Sequence, residues 1–88
     1  MKKLVQVQEV EGEGLMGFMG MRLTLFCANY IYTGTLVGVN DTCVKLDDAA
    51  IVYETGELKS KTWKDAQALP YAAYVMLASV ESFMQLKK

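Results

Sequence analysis

The chain has 88 residues, 52% of them apolar, and a formal net charge of −1. It has no His and only two Cys, Cys27 and Cys43, which do not form a CxxC pair; histidine-based triads and most zinc sites are excluded. An isoelectric point near 5.3 removes a global basic footprint for nucleic acid, and no apolar run approaches the roughly 20 residues that span a bilayer.

Lys3 to Val10 alternates, with Val5 and Val7 on one side and Gln6 and Gln8 on the other, and residues 1–12 are read as an N-terminal arm, extended or strand-like. Met1-Lys2-Lys3 resembles a signal-peptide start, but Gln6, Gln8 and Glu9 break the apolar stretch that must follow; the chain is expected in the cytoplasm, with reduced thiols. Leu15 to Gly20 is apolar and Gly-punctuated and predicts one to two helical turns from near Glu13. Met21 to Phe26 predicts a strand with Leu23 and Leu25 on one face, and Cys27-Ala28-Asn29 a tight connection.

Tyr30 to Val39 is the clearest strand. Both its parities are apolar or small, so both faces are expected to be covered, with Gly34 and Gly38 marking bends or bulges. Asn40-Asp41 reads as a turn. Thr42 to Leu46 follows as a strand with Val44 and Leu46 inward, ended by Asp47-Asp48; Ala49 to Glu54 is the fourth strand. Residues 58–70 are expected as an ordered polar loop between strands 4 and 5, Tyr71 to Val80 as the last strand, and 81–88 as a tail. The sum is one mostly β domain over 1–88: a short N-terminal helix, then a strongly bent five-stranded antiparallel sheet or small open barrel.

Four groups of residues invite a chemical reading. Gly12-x-Gly14-x-x-Gly17 spells GxGxxG, but Glu11 and Glu13 would repel a pyrophosphate and a hairpin follows where a crossover helix is needed. Cys27 and Cys43 sit among apolar residues and read as small buried hydrophobes. Asp41, Asp47 and Asp48 lack the Gly and terminal Glu of a calcium loop and are simpler as turn and strand-end residues. Trp63 among Lys59, Lys61 and Lys64 has the aromatic–basic interleaving of a single-strand binder, against the plainer reading that Trp63 pins its loop to the sheet. Met16, Met19 and Met21 read as core or subunit contact. No acid–base constellation can be assembled, no cofactor is implied, and no enzymatic role is expected.

Residues Arg22 to Glu54, with the final strand, resemble the Sm-like (Sm/LSm) family. The first family motif, Tyr-x-Gly-x-Leu-x-Gly-x-(Asp/Asn), is matched by Tyr32, Gly34, Leu36, Gly38 and Asn40, and an apolar strand ending in Asp47-Asp48-Ala49 follows. Asn29 to Gly34 and Ile51 to Gly56 are also similar to small phage-borne members. The resemblance implies a homo-oligomeric ring of about five to seven subunits, closed by strand pairing between neighbours. Ile51, Val52, Tyr53, Tyr74, Val75, Met76 and Leu77 are the expected subunit interface. Such a ring would also give a partner to the apolar surplus: six Met, five Tyr, three Phe and one Trp are many for a lone domain of this size.

Family members that bind uridine-rich RNA use an Asp and an Asn after strand 2 and an Arg-Gly after the last strand. Here the first loop offers Asn40 and Asp41, Cys43 or Val44 falls where the Asn belongs, and Ala78-Ser79 stands in place of Arg-Gly. The expected function is therefore a ring-forming scaffold or interaction module, with a protein as its further partner. The alternative is a single-stranded RNA-binding ring using Asn40, Asp41, Lys45, Lys59, Lys61, Trp63 and Lys64, where repetition around the ring turns a few lysines into a positive rim. No membrane partner is expected.

Overall fold

Leu23 and Leu25 alternate along the first strand and are both fully buried, which sets the inner face of the sheet. The computed structural model describes residues 13–87; the arm proposed for residues 1–12 lies outside them. A single helical turn, α1 (Gly14–Gly17), precedes β1 (Arg22–Cys27), β2 (Ile31–Val39), β3 (Cys43–Glu54), β4 (Asp65–Ala68), β5 (Ala73–Met76), a 3-10 turn at Leu77–Ser79, and β6 (Val80–Met84). The strands form one open antiparallel sheet in the order β4-β3-β2-β1-β6, with β5 also paired to β3. The protein is thus mostly β, as expected, but with six strands in place of five.

The core gathers Leu23, Leu25, Leu36, Val44, Leu46, Ala49 and Val75. Leu15 and Phe18 pack on it from the α1 segment, and Phe18 meets Phe83 of β6 edge to face at 6.0 Å. The helical segment is shorter than its apolar run suggests. Gly20 N–H donates to the Leu36 carbonyl over 2.7 Å and Leu36 N–H to Met21 over 2.9 Å, so the chain is captured by β2 after one turn. Glu13 is its N-cap and makes no side-chain capping bond. The Gly14 and Gly17 of the GxGxxG pattern therefore enter a hairpin, β1–β2, and not a βαβ crossover.

Asp47-Asp48 does not end a strand. β3 runs through it as a bent strand of 12 residues, joining the two strands expected at Thr42–Leu46 and Ala49–Glu54. The bend is a bulge: Thr33 pairs with Ala50 and Thr35 with Asp47, so β3 has one extra residue opposite Gly34. Asp48 takes φ +48°, a conformation that Asp tolerates better than most side chains. Gly34 is required for packing. A Cβ there would lie 2.9 Å from Leu46 Cβ and 3.0 Å from the Asp47 carbonyl oxygen. A second bulge, in β2, falls between Leu36 and Gly38. Both faces of β2 are buried at Thr33 and Gly34, but Val37 is exposed.

β4 lies inside the segment expected as loop. Its residues, Asp65-Ala66-Gln67-Ala68, are all exposed and carry weak strand preference; the strand exists through its ladder to Ala50–Glu54 of β3. β6 lies across the expected end of the last strand and the tail. Val80 and Phe83 pack on the core, while the rest of the strand is exposed. On the face of the sheet opposite the leucines, Thr24 and Thr33 are paired across β1 and β2, both buried, with their hydroxyls 3.4 Å apart.

Candidate functional site

The residues expected at a nucleic-acid surface fall into two groups at opposite ends of β3. Asn40, Asp41 and Lys45 lie at its start; Lys59, Lys61, Trp63 and Lys64 follow its end at Glu54. Lys45 and Glu54 are about 30 Å apart along the strand at ~3.3 Å per residue. The two groups line separate hollows, Asn40 with Lys45 in one and Lys59 with Lys61 in the other.

At the first end, Asn40 builds the turn. Its Oδ1 accepts from the backbone N–H of Thr42 and of Cys43, both at 2.8 Å, and from the Thr42 hydroxyl at 3.2 Å. This is the local side-chain-to-backbone bonding that favours Asn in turns, and it leaves Oδ1 committed. The 3-10 turn that carries Ala78 and Ser79 comes alongside, with Leu77 N–H donating to the Thr42 carbonyl over 2.9 Å. This turn follows β5 and precedes β6, so it does not follow the last strand. A shallow cleft of about 250 Å³ sits here, and Lys45 is the one cationic side chain among its lining residues. The Lys45 ammonium lies 5.5 Å from the centre of the Tyr74 ring, within cation–π reach.

At the other end, Lys59 and Lys61 are exposed, and Lys64 pairs with Glu54 over 3.3 Å, both exposed. Trp63 is half-buried. The ammonium of Lys87 lies 4.5 Å from its ring centre, and its indole Nε1 is buried with no acceptor among the described residues. Lys87, unmarked in the sequence because it looks like a tail lysine, is only 3% exposed. It reaches back and lies over one face of the Trp63 ring.

The expected interface residues divide as well. Ile51 and Val52 lie in β3 with β2 on one side and β4 on the other, so their backbone presents no open edge. On that side the pairing partner is β4 of the same chain. Tyr53 is on the same strand but its side chain is exposed. Tyr74, Val75 and Met76 belong to β5, which pairs with β3 on one side; Tyr74 and Met76 point outward, Val75 is buried in the core, and Leu77 begins the 3-10 turn and packs on the core. Beside this edge is a groove of about 560 Å³, with Cys27, Tyr30, Tyr32, Tyr74, Met76 and Ser79 in its walls.

The two thiols are free and half-buried. Burial, and then the nearby Glu81 carboxylate, push the Cys27 thiol above its ordinary range, the opposite of what an activated nucleophile needs. Tyr32 is raised too, first by burial and then by Cys27, Tyr30 and Tyr53. Asp48 is engaged by Arg22, and among the described residues no group of three His, Cys, Asp or Glu side chains is placed to hold a metal ion. No described helix is long and apolar enough to cross a membrane.

Comparison of the chain with protein-family models, curated proteins and solved structures finds no match.

Proposed function

We propose that the chain is a subunit of a homo-oligomeric ring of Sm-like architecture that serves as a scaffold or interaction module. The observation that carries this reading is the open sheet. β4 and β5 are each paired only with β3, and β6 only with β1, among the described strands, so each leaves one outer edge unpaired. Exposed apolar side chains flank two of these edges: Tyr74 and Met76 on β5, Met84 on β6. An exposed edge of this kind invites strand addition, and β5 of one copy against β6 of the next is a head-to-tail contact that repetition can close. The motif of Tyr32, Gly34, Leu36, Gly38 and Asn40 supports the same reading, because Gly34 sits at the bend of the sheet and Asn40 builds the turn after β2.

The scaffold role is favoured over uridine binding by the chemistry at the Asn40 turn. Asn40 Oδ1 is spent on the backbone, Cys43 offers a thiol, and Ala78 offers no cation. Phosphate contacts position a strand and base-edge bonds specify it; at this turn Lys45 is the one cation for a phosphate, and the exposed Asp41 carboxylate is an acceptor with Cys43 and Ala78 where an Asn and an Arg would complete a base-reading set. Light-scattering mass after size exclusion tests the ring: a multiple of the 9.8 kDa protomer supports it, and a monomer at micromolar concentration overturns it.

The second reading, a single-stranded RNA-binding ring, is favoured by the exposure of Lys59 and Lys61 on one loop. It requires anisotropy with oligo-U, oligo-A or mixed RNA to show binding that weakens with salt and with Lys→Ala at 59 and 61. Absence of binding at low salt leaves the scaffold.

A further inference from the structure

The loop after β3 turns three of its backbone carbonyl oxygens toward a single point. Lys87, beyond β6, fills that point: its Nζ donates to Thr55 O at 2.7 Å, Glu57 O at 2.8 Å and Thr62 O at 2.9 Å. The Trp63 ring closes the remaining side at 4.5 Å.

We propose that the loop from Thr55 to Trp63 is a receptor for a primary ammonium group, and that Lys87 is its tethered ligand. The match is one of count and shape. An ammonium has three N–H donors and no acceptor, and here each donor has one carbonyl. The ring face adds the electrostatic attraction of a cation over an aromatic. A guanidinium is planar and forked, and presents its donors in a geometry this cup does not offer. Burying an ammonium is costly unless all its donors are met, and Lys87 is buried with all three met.

The cup is built by the loop's own backbone. Gly56 takes φ +68°, and a Cβ there would lie 3.2 Å from Lys64 Cβ, so the turn that brings the Thr55 and Glu57 carbonyls round is suited to glycine. Ser60 N–H donates to Glu57 O over 3.0 Å, Lys64 N–H to Thr55 O over 3.4 Å, and the Lys64–Glu54 ion pair spans the loop's base. The same loop carries Lys59 and Lys61, so the ammonium in the cup ties that segment to the chain beyond β6.

The test uses the single tryptophan as reporter and needs no partner. In Lys87→Ala, Trp63 emission moves away from its native maximum. Millimolar ethylammonium chloride returns it, whereas sodium chloride and tetramethylammonium chloride at the same ionic strength do not, since neither supplies N–H donors. If the far-UV spectrum shows an intact sheet and ethylammonium restores nothing, or tetramethylammonium restores as much, the proposal is overturned. A measurement on the unaltered chain covers the case in which Lys87→Ala does not fold. A lysine-ammonium 1H–15N spectrum should show one slowly exchanging NH3+ resonance shifted by the indole ring, which Trp63→Phe moves. Absence of any protected ammonium overturns the assignment.

Discussion

Arg22 and Asp48 meet across the bend of β3, where Nη1 of Arg22 donates to the Asp48 backbone carbonyl over 2.8 Å and to its Oδ2 over 3.4 Å. The carbonyl bond is the stronger part. The Asp48 side chain is 91% exposed, so the ionic contact is screened by water, while the backbone bond holds the bulge itself. Arg22→Met is expected to lower unfolding free energy by about 1 kcal/mol, and Asp48→Asn by less than about 0.5 kcal/mol. Urea denaturation of the two variants decides. An equal or larger loss in Asp48→Asn would make the carboxylate the important acceptor.

Gly34→Ala is the harsher change in the same region. The added methyl group meets Leu46 Cβ, the Asp47 carbonyl and Ala49 Cα, all within 3.2 Å, and two of these are backbone. Overpacking of this kind costs about 1–3 kcal/mol. Gly38→Ala is the control, because its nearest neighbour, Lys45 Cβ, is at an ordinary 3.7 Å. The denaturation midpoint should fall clearly for the first and little for the second.

Alkaline pH should weaken the fold through Cys27 and Tyr32. Both groups are held above their ordinary values, chiefly by burial. In the pH window where the unfolded thiol and phenol have lost their protons and the folded ones have not, the unfolded state binds fewer protons, so stability falls as pH rises. The contribution is complete below the unfolded values and is lost as pH passes through the folded ones. Unfolding free energies measured from about pH 8 to 10.5 should decline, and Cys27→Ala should flatten part of that slope. Iodoacetamide should label Cys27 more slowly than a small free thiol at the same pH.

Strand edges and strand interiors make different demands on an assembly. Tyr74→Lys and Met84→Lys place a charge beside the open edges of β5 and β6, and each is expected to reduce the light-scattering mass to that of the protomer with the circular dichroism unchanged. Tyr53→Lys alters an exposed side chain on a strand paired on both sides and should leave the mass as it was. Dissociation by Tyr53→Lys alone would put the contact on a face of the sheet.

The elements that bury side chains in a regular alternation were legible in the sequence. Leu23 with Leu25, and Val44 with Leu46, lie in the core as their spacing implies. The Cys27–Asn29 connection closes as a tight turn, with Cys27 N–H donating to Tyr30 O. β4 was illegible because it buries no side chain and rests on backbone pairing, and β6 because only Val80 and Phe83 face inward. Asp47-Asp48 carries the composition of a strand end and serves as a bulge; the difference lies in Gly34 and Arg22, which are distant in sequence. The candidate site was legible at Asn40 as a turn; Trp63, read as pinning its loop to the sheet, meets Lys87 from beyond β6. Lys87 carried no signal, since its burial depends on three carbonyls that only the folded loop aligns.

The Thr24–Thr33 pair sets the β1–β2 alignment. With both hydroxyls buried and 3.4 Å apart, each is the other's polar neighbour. Sliding β1 by one residue would turn Thr24 into the layer of Leu23 and Leu25 and strand two hydroxyls among hydrocarbon. A misaligned pairing is thus penalised once both faces of the hairpin are covered and its hydroxyls have lost water.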